Sequence, residues 1–278
     1  MKLTNIEQNI LIGSILGDGS LALYGRSKNA YYREHGCEKQ NPYRQWKYQN
    51  LKRLGLKFSL KGKYGVLRSP SNKIFTDFYN LFYRNRIKVI TNENIKLLNH
   101  PIGLTCLYLD DGTLVIDSSN KNNGKHLFPR IAIYTQCFTK EENIILINHI
   151  KHVFNIEFKL KKRPDGNNYI LELNKINEIT KFIDIISPYV NQIPEMTYKI
   201  DYINRMDIKR KQLQNSNIPN VSTIDLYYVD KRYTVDEENF IIESKKANMR
   251  DKDIALQLNR SYYGIVDKIR RLKIDGKL

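Results

Sequence analysis

The stretch "LIGSILGDGS", residues 11–20, begins as an apolar helix and then runs into Gly17, Asp18 and Gly19. Glycine disfavours continuation of a helix, and a carboxylate at a helix C-terminus lies at the negative end of the helix dipole. A helix stop with a left-handed glycine cap would explain one such segment. The residue types therefore predict a helix that ends near Gly17, and they leave the purpose of Asp18 open.

A second stretch of the same type lies 93 residues further on. "LTCLYLDDGTLVID" (104–117) aligns without gaps with "LIGSILGDGSLALY" (11–24), so that Asp111 corresponds to Asp18. Later, "RLGLKFSLKGK" (53–63) aligns with "VFNIEFKLKKR" (153–163) at an offset of 100. The second copy carries the polar insertion "SSNKNNGKH" (118–126), which we expect to form a loop. The chain is therefore a tandem repeat of one small α+β unit.

Charge and cysteine content narrow the class of protein. Lys and Arg number 46 against 29 Asp and Glu, so the net charge is +17, and nucleic acid is the simplest partner for such a surplus. We find no apolar run of membrane-spanning length and expect no membrane partner. The three cysteines have no paired spacing, which argues against a disulfide framework or a structural zinc site and favours an intracellular compartment.

Alternating residues in segments 57–61, 129–137 and 159–163 predict strands with one apolar and one polar face. An ordinary solvated sheet face is one interpretation. The repeat and the positive charge favour contact with nucleic acid. The candidate contacts on the polar face are Lys57, Ser59, Lys61, Arg130, Tyr134, Lys159, Lys161 and Arg163.

Two copies of an apolar helix are expected to bury against each other. Gly13 and Gly17 lie on one helical face and would allow close approach. A pseudo-twofold pairing would then place Asp18 beside Asp111, where mutual repulsion and the helix dipoles disfavour ionised carboxylates. A hard divalent cation such as Mg²⁺ relieves both problems. This pattern predicts metal-dependent hydrolysis of phosphodiesters.

The motifs "LIGSILGDG" (11–19) and "LTCLYLDDG" (104–112) resemble the two signature helices of single-chain LAGLIDADG homing endonucleases, and the resemblance covers about residues 5–205. It implies an α+β fold, with αββαββα units at 1–98 and 99–205 paired about a pseudo-twofold axis and carrying saddle-shaped antiparallel sheets. It also implies a monomer that cuts both strands of a long double-stranded DNA site with Mg²⁺, leaving short 3′ overhangs. Mn²⁺ is expected to substitute. An RNA maturase or a DNA-binding regulator on the same scaffold is the alternative.

The resemblance also implies roles for individual residues. Asp18 and Asp111 would bind metal through their carboxylates, and Gly17 and Asp110 through their backbone oxygens. The candidates for stabilising the scissile phosphate and ordering water are Lys88, Lys199 and Gln136. The second motif has Cys106 and Asp110 where the first has Gly13 and Gly17, which predicts a less glycine-rich interface on that side.

The C-terminal part of the sequence has a different character. Residues 206–232 are polar and lysine-rich and are expected to form a linker. Residues 233–278 predict three helices and resemble a Myb/SANT-like or resolvase-like helix-turn-helix, with a protein-contact module as the alternative. Its candidate DNA contacts are Tyr262, Tyr263, Lys268 and Arg270. The abundance of Lys, Asn and Ile favours an AT-rich genome, and hence an organelle matrix such as the mitochondrion or a bacterial or phage-infected cytoplasm.

Overall fold

The computed structural model describes residues 2–278 except 26, 122, 164–165, 167, 217, 219, 225–232, 259 and 261. The chain divides into two compact units, Met1–Leu226 and Tyr227–Leu278. The larger unit contains both Asp-Gly motifs, and the smaller one contains the C-terminal helices.

The first repeat has the predicted order αββαββα. Its first helix starts at a capping box, in which the Thr4 hydroxyl accepts a hydrogen bond from the Glu7 backbone N–H. The strands form an antiparallel sheet in the order β1-β2-β4-β3. The bounds are α1 Asn5–Leu16, β1 Ser20–Leu23, β2 Ala30–Gly36, α2 Asn41–Leu51, β3 Lys57–Lys61, β4 Tyr64–Arg68 and α3 Lys73–Phe82.

A short hairpin, β5 (Tyr83–Arg84) and β6 (Ile87–Lys88), leads out of the first repeat. Its two turn residues, Asn85 and Arg86, both have positive φ angles, of 50° and 67°. This is the backbone combination of a type I′ hairpin turn. The turn reverses the chain and places Lys88 beside Tyr83 in the ladder.

The second repeat has the same element order and the same sheet topology. Its strands follow the antiparallel order β7-β8-β10-β9, which matches the first sheet and confirms the predicted fold. Its bounds are α4 Pro101–Asp111, β7 Gly112–Lys121, β8 Gly124–Ile133, α5 Lys140–Phe154, β9 Lys159–Lys162, β10 Tyr169–Leu173 and α6 Ile176–Val190.

Two segments predicted as irregular have regular structure. The insertion 118–126 lengthens β7 and β8 into one long hairpin, so the expected loop is wrong. The predicted linker 206–232 contains most of α7 (Tyr202–Asn215) and β11 (Val221–Thr223), which pairs in parallel with β8. Backbone pairing explains the hairpin and β11, because polar strands in a sheet need no apolar period. The linker residues 217, 219 and 225–232 lie outside the described part of the chain.

The core of the larger unit is organised around α1 and α4, which approach very closely. A Cβ placed on Gly13 would lie 2.1 Å from the Gly103 carbonyl oxygen, and one placed on Gly103 would lie 2.9 Å from the Asn9 carbonyl oxygen. The second helix therefore has its own glycine at the crossing. Cys106 also faces Gly13, with its Cβ atom 2.9 Å from a Cβ placed there, and Asp110 faces Gly17, so the second side contributes one glycine to the first side's two.

The smaller unit contains three helices at the predicted places, α8 (Val235–Lys246), α9 (Asp251–Gln257) and α10 (Tyr262–Ile274). They enclose a separate small core. Its buried residues are Ile241, Ile254, Ala255, Ile265, Ile269 and Leu272. A DNA-binding role for these helices stays a prediction.

The α1–α4 crossing can be tested by replacing Gly13 with alanine. In an exposed helix Gly→Ala stabilises by up to about 1 kcal/mol. At this crossing the added methyl group must push two backbones apart, and we expect a loss of about 1–3 kcal/mol in the free energy of unfolding. Urea denaturation measures the change, with Gln8→Ala on the same helix as the control. A Gly13→Ala protein as stable as the native one would contradict the close approach.

Candidate active site at the paired helix ends

The pairing of α1 and α4 brings the two predicted metal-binding aspartates to the same end of the helix pair. Asp18 follows the last turn of α1, and Asp111 is the last residue of α4. Burial, followed by the nearby charge of Asp18, raises the pKa of Asp111 to about 6, although Lys88 and Lys199 oppose the shift. The charge of Asp18 therefore reaches Asp111, although burial contributes more to the shift, and a shared metal ion at this pair stays a prediction.

Two lysines lie against the ends of these helices. Lys88 Nζ donates to the Gly17 carbonyl at 2.7 Å. Lys199 Nζ donates to the carbonyls of Leu109 and Gly112 at 2.5 and 2.9 Å. Cations are favourable at helix C-termini. Each repeat thus supplies one ammonium group at the end of its own motif helix, and the role of both lysines at a scissile phosphate stays a prediction.

Burial lowers the pKa of both Lys88 and Lys199. The nearby aspartate carboxylates, Asp18 and Asp111 among them, oppose this shift. The predicted backbone ligand Gly17 is engaged by Lys88, so its carbonyl would have to share or exchange this partner to bind a metal ion.

The sequence did not predict a buried ionic network that lies beside Asp18. Lys47 Nζ lies 2.8 Å from Glu34 Oε2 and 2.9 Å from Asp110 Oδ1, and all three side chains are fully buried. Arg44 lies 3.2 Å from Glu34 Oε1 and 3.3 Å from Asp18 Oδ2. Burial lowers the pKa of Lys47, but the carboxylates of Asp110 and Glu34 outweigh it, so the net shift is upward and the ammonium stays charged.

The only sequence signal for this network is in "NPYRQWKYQNL" (41–51). Positions 44 and 47 share a helical face with the buried Leu51, and cations on an apolar face are unusual. The carboxyl group of Asp110 could not be connected to that face from the sequence, because the two segments are distant in the chain.

Within the described residues, carboxylate oxygens of Asp18, Glu34 and Asp110 lie within 4.8 Å of one another. This cluster of acidic residues could bind a metal ion. However, Lys47 and Arg44 already neutralise its buried members. A metal ion held by Glu34 and Asp110 would have to displace a buried ammonium. Asp18 is more accessible, because a third of its side chain is exposed, although Arg44 lies 3.3 Å from its Oδ2.

The outward face of the first sheet is basic. Lys57, Ser59 and Lys61 are exposed on β3, as predicted. The ladder places Lys57 opposite Arg68 and Arg68 opposite Arg33, so both arginines join the same face. The sequence did not predict them because only the strand register relates β2 and β4 to β3.

The outward face of the second sheet is partly neutralised by acids. Arg130 is ion-paired with Asp117 and lies 3.3 Å from Glu172. Lys161 lies 3.2 Å from the same Glu172 carboxylate, which is buried. Their charges are therefore less available to a polyanion than those of the first sheet.

The other candidates on the second sheet lie at its surface. Lys159 is exposed on β9. Tyr134 and Gln136 are also exposed, but they follow the end of β8 at Ile133 and are not strand residues. Gln136 accepts a hydrogen bond from Arg163, which draws these two predicted residues together.

In the smaller unit, the candidate contacts on α10 differ in exposure. Tyr263 is the most open, Tyr262 packs edge-on against it, and Arg270 is also exposed. Lys268 is ion-paired with Glu238 and mostly buried. The structure therefore argues against Lys268 as a DNA contact.

The sequence of this chain also matches a known protein family. Residues 8–182, more than half of the chain, match the model of the LAGLIDADG DNA endonuclease family. The chain belongs to this family of DNA endonucleases. The match includes both Asp-Gly motifs, the eight strands β1–β4 and β7–β10, and Lys88.

Individual LAGLIDADG relatives are distant in sequence. The DNA endonuclease I-ChuI of Chlamydomonas applanata is 25% identical over 74% of this chain and 99% of its own length. A probable intron-encoded endonuclease 1 of Wickerhamomyces canadensis is 29% identical over 71% of this chain and 85% of its own. Protein RecA of Mycobacterium shimoidei is 24% identical over 71% of this chain. The matched part of this chain spans only 47% of the length of that protein.

Solved structures support the LAGLIDADG fold. The homing endonuclease I-WcaI, solved with its DNA recognition sequence, superimposes with a TM-score of 0.59 and 23% identity over 72% of this chain and 88% of that one. The LAGLIDADG meganuclease I-AabMI, solved with uncleaved DNA, gives a TM-score of 0.50 and 12% identity over 75% and 95%. Among the described residues, no helix combines the length and hydropathy that a bilayer-spanning segment requires.

The raised pKa of Asp111 predicts a pH-dependent cost in stability. The folded protein keeps the proton of Asp111 up to about pH 6, whereas the unfolded chain loses it near pH 4. Ionisation therefore destabilises the fold progressively from pH 4 to 6, and the full cost is present above pH 6. Without divalent ions, Asp111→Asn should raise the free energy of unfolding by about 1–2 kcal/mol at neutral pH, and by less on acidification.

Urea unfolding in EDTA at about pH 7.5 and pH 5 measures this difference. Asp184→Asn, at an exposed carboxylate on α6, is the control and should change little at either pH. A destabilised Asp111→Asn protein at neutral pH, or a stability gain that grows on acidification, would be inconsistent with the raised pKa that burial and the charge of Asp18 give to Asp111.

Proposed function

We propose that this chain is a site-specific, Mg²⁺-dependent endonuclease that cuts both strands of a long double-stranded DNA target and leaves short 3′ overhangs. The observation that carries the proposal is the placement of Asp18 and Asp111 at the same end of two tightly packed helices, with a lysine at each helix end. Family membership and the DNA-bound structures of I-WcaI and I-AabMI support it.

The donor set at the helix ends fits a hard divalent cation. Asp18 and Asp111 would hold the ion through carboxylate oxygens, and the backbone oxygens of Gly17 and Asp110 would add ligands of the kind Mg²⁺ accepts. Burial and, after it, the charge of Asp18 raise the pKa of Asp111, and a bound cation would favour the ionised carboxylate against both effects. When bound, the ion supplies an activated water and charge stabilisation at the scissile phosphate. Mn²⁺ prefers similar ligands and should substitute.

The chain's own cations would complete the chemistry. Lys88 and Lys199 are held by helix-end carbonyls, so their ammonium groups are oriented before DNA arrives. Such preorganised charges stabilise the negative charge that develops at phosphate in the transition state. Gln136 would help to order water on the side of the second repeat.

DNA would be held by the sheets and by the C-terminal unit. The basic face of the first sheet suits phosphate contacts, and exposed Tyr263 and Arg270 suit an additional contact. One chain supplies both acids, so we propose a monomer. The intron-encoded relative from Wickerhamomyces canadensis supports an organelle matrix as the location, with a bacterial or phage-infected cytoplasm as the other possibility.

Cleavage of plasmid libraries that carry candidate target sites tests the proposal. The native chain should linearise its target with Mg²⁺ or Mn²⁺. The Asp18→Asn and Asp111→Asn proteins should each cleave at least about a hundredfold more slowly than the native chain. Both proteins should still bind DNA. Asp184→Asn is the matched control. If the native chain binds its site but never cuts with either ion, a DNA-binding regulator or an RNA maturase replaces the endonuclease.

The basic face of the first sheet makes a separate prediction about affinity. Lys57→Gln combined with Lys61→Gln should weaken DNA binding and reduce the slope of log Kd against log salt concentration by about 2. The control is Lys73→Gln combined with Lys181→Gln, which removes the same charge from α3 and α6, where each lysine has an acidic partner. Equal effects of the two double variants on the slope would rule out a specific DNA-binding role for this face.

A further inference from the structure

The two repeats differ in the residues around their proposed metal-binding acids. The strand register shows which residue of one repeat corresponds to which residue of the other. Ser20 pairs with Arg33 in the first hairpin, and Thr113 pairs with Ala132 in the second. Ser20 and Thr113 correspond at the motif offset of 93, so the second strands of the hairpins correspond at an offset of 99. The buried positions 44, 47 and 51 of α2 and 143, 146 and 150 of α5 follow the same offset.

This correspondence shows that the buried ionic network has no charged counterpart in the other half. Its four residues and their counterparts are Glu34 and Ile133, Arg44 and Asn143, Lys47 and Leu146, and Asp110 and Gly17. The network therefore breaks the twofold symmetry at the centre of the protein.

Asp110 connects the network to the backbone of Asp18. Lys47 Nζ donates to Asp110 Oδ1 at 2.9 Å and to Oδ2 at 3.0 Å. The same Oδ2 accepts a hydrogen bond from the Asp18 backbone N–H at 3.3 Å. Because Lys47 and the Asp110 carboxyl group are fully buried, neither can contact DNA directly. They can act on the reaction only through the residues that they orient.

A second contact reaches the Asp18 side chain. Arg44 shares Glu34 with Lys47, and its Nη2 lies 3.3 Å from Asp18 Oδ2. On the corresponding side of the second repeat, Asn143 donates only to backbone carbonyls, those of Thr135, Phe138 and Thr139. The network thus orients both the backbone and the carboxylate of Asp18.

We propose that Lys47, through Asp110, is a positioning residue that fixes the orientation of Asp18 and thereby sets the rate at which one DNA strand is cut relative to the other. The inference rests on the proposed endonuclease function. A duplex presents one scissile phosphate on each strand, and the two phosphates meet the two unlike halves of the site. Small displacements of a catalytic group cost up to about a hundredfold in rate, so loss of the network should slow one strand selectively.

The test variant is Lys47→Leu combined with Asp110→Gly, which installs the residues of the other repeat. Removing both partners together avoids the uncompensated buried charge that either single change would leave. Glu34 keeps its contacts with Arg44 and Tyr32. The matched control is Lys47→Met combined with Asp110→Asn, which also removes both charges but keeps a side-chain oxygen that can accept from the Asp18 N–H.

The assay uses target DNA labelled separately on each strand, cut by the full chain with Mg²⁺ under single-turnover conditions. The leucine–glycine variant should change the ratio of the two strand-cutting rates by about tenfold or more relative to native, and it should accumulate nicked plasmid. The methionine–asparagine control should keep the ratio within about threefold of native, since the acceptor for Asp18 remains. Affinity for DNA in EDTA should be unchanged in both variants.

Urea unfolding and DNA affinity in EDTA confirm that each variant is folded before the rates are compared. A leucine–glycine variant that slows both strands equally, or that keeps the native ratio, overturns the positioning role while native cleavage leaves the endonuclease intact. A native chain that binds its target without cutting either strand overturns the endonuclease, and this inference falls with it.

Discussion

The close approach of α1 and α4 is the constraint on which the rest of the structure depends. Gly13 and Gly103 bring the two backbones together at a distance that any side chain would prevent. Because the helices belong to equivalent repeats, their C-termini meet at one end of the pair, and Asp18 and Asp111 meet with them. The two sheets then extend from these helix ends, so a single packing contact fixes both the candidate reaction centre and the position of the basic face of the first sheet.

That contact also creates an electrostatic problem which the two halves solve differently. Two carboxylates lie at the negative ends of two helix dipoles. Burial first, and the charge of Asp18 second, raise the pKa of Asp111. Lys88 and Lys199 compensate in both repeats. Asp18 alone is also tied to a buried network of two cations and two acids, and such a network contributes little net stability compared with apolar packing. Its presence in one half is better explained by positioning of Asp18 than by stability.

Much of the architecture could be predicted because each element of the repeat has a pattern of apolar and polar residues that is local in the sequence. The apolar helices, their Asp-Gly ends and the alternating strands all depend on neighbours within a few residues. The polar hairpin at 118–126 and the strand Val221–Thr223 were missed because backbone pairing at a sheet edge leaves no apolar signature. The link between Lys47 and Asp110 was missed because it joins residues 63 positions apart, and a lysine on a helix ordinarily indicates a solvated face.

We propose that the paired helix ends hold a divalent ion between Asp18 and Asp111. A crystal structure of the native chain with its DNA target and Mn²⁺, using anomalous scattering to locate the metal, tests it most directly. We expect an anomalous peak bound by both of these carboxylates, with Lys47 still in contact with Asp110. A peak bound instead by Glu34 and Asp110 with Lys47 displaced, or no peak at the helix ends in a complex that contains DNA, would contradict it.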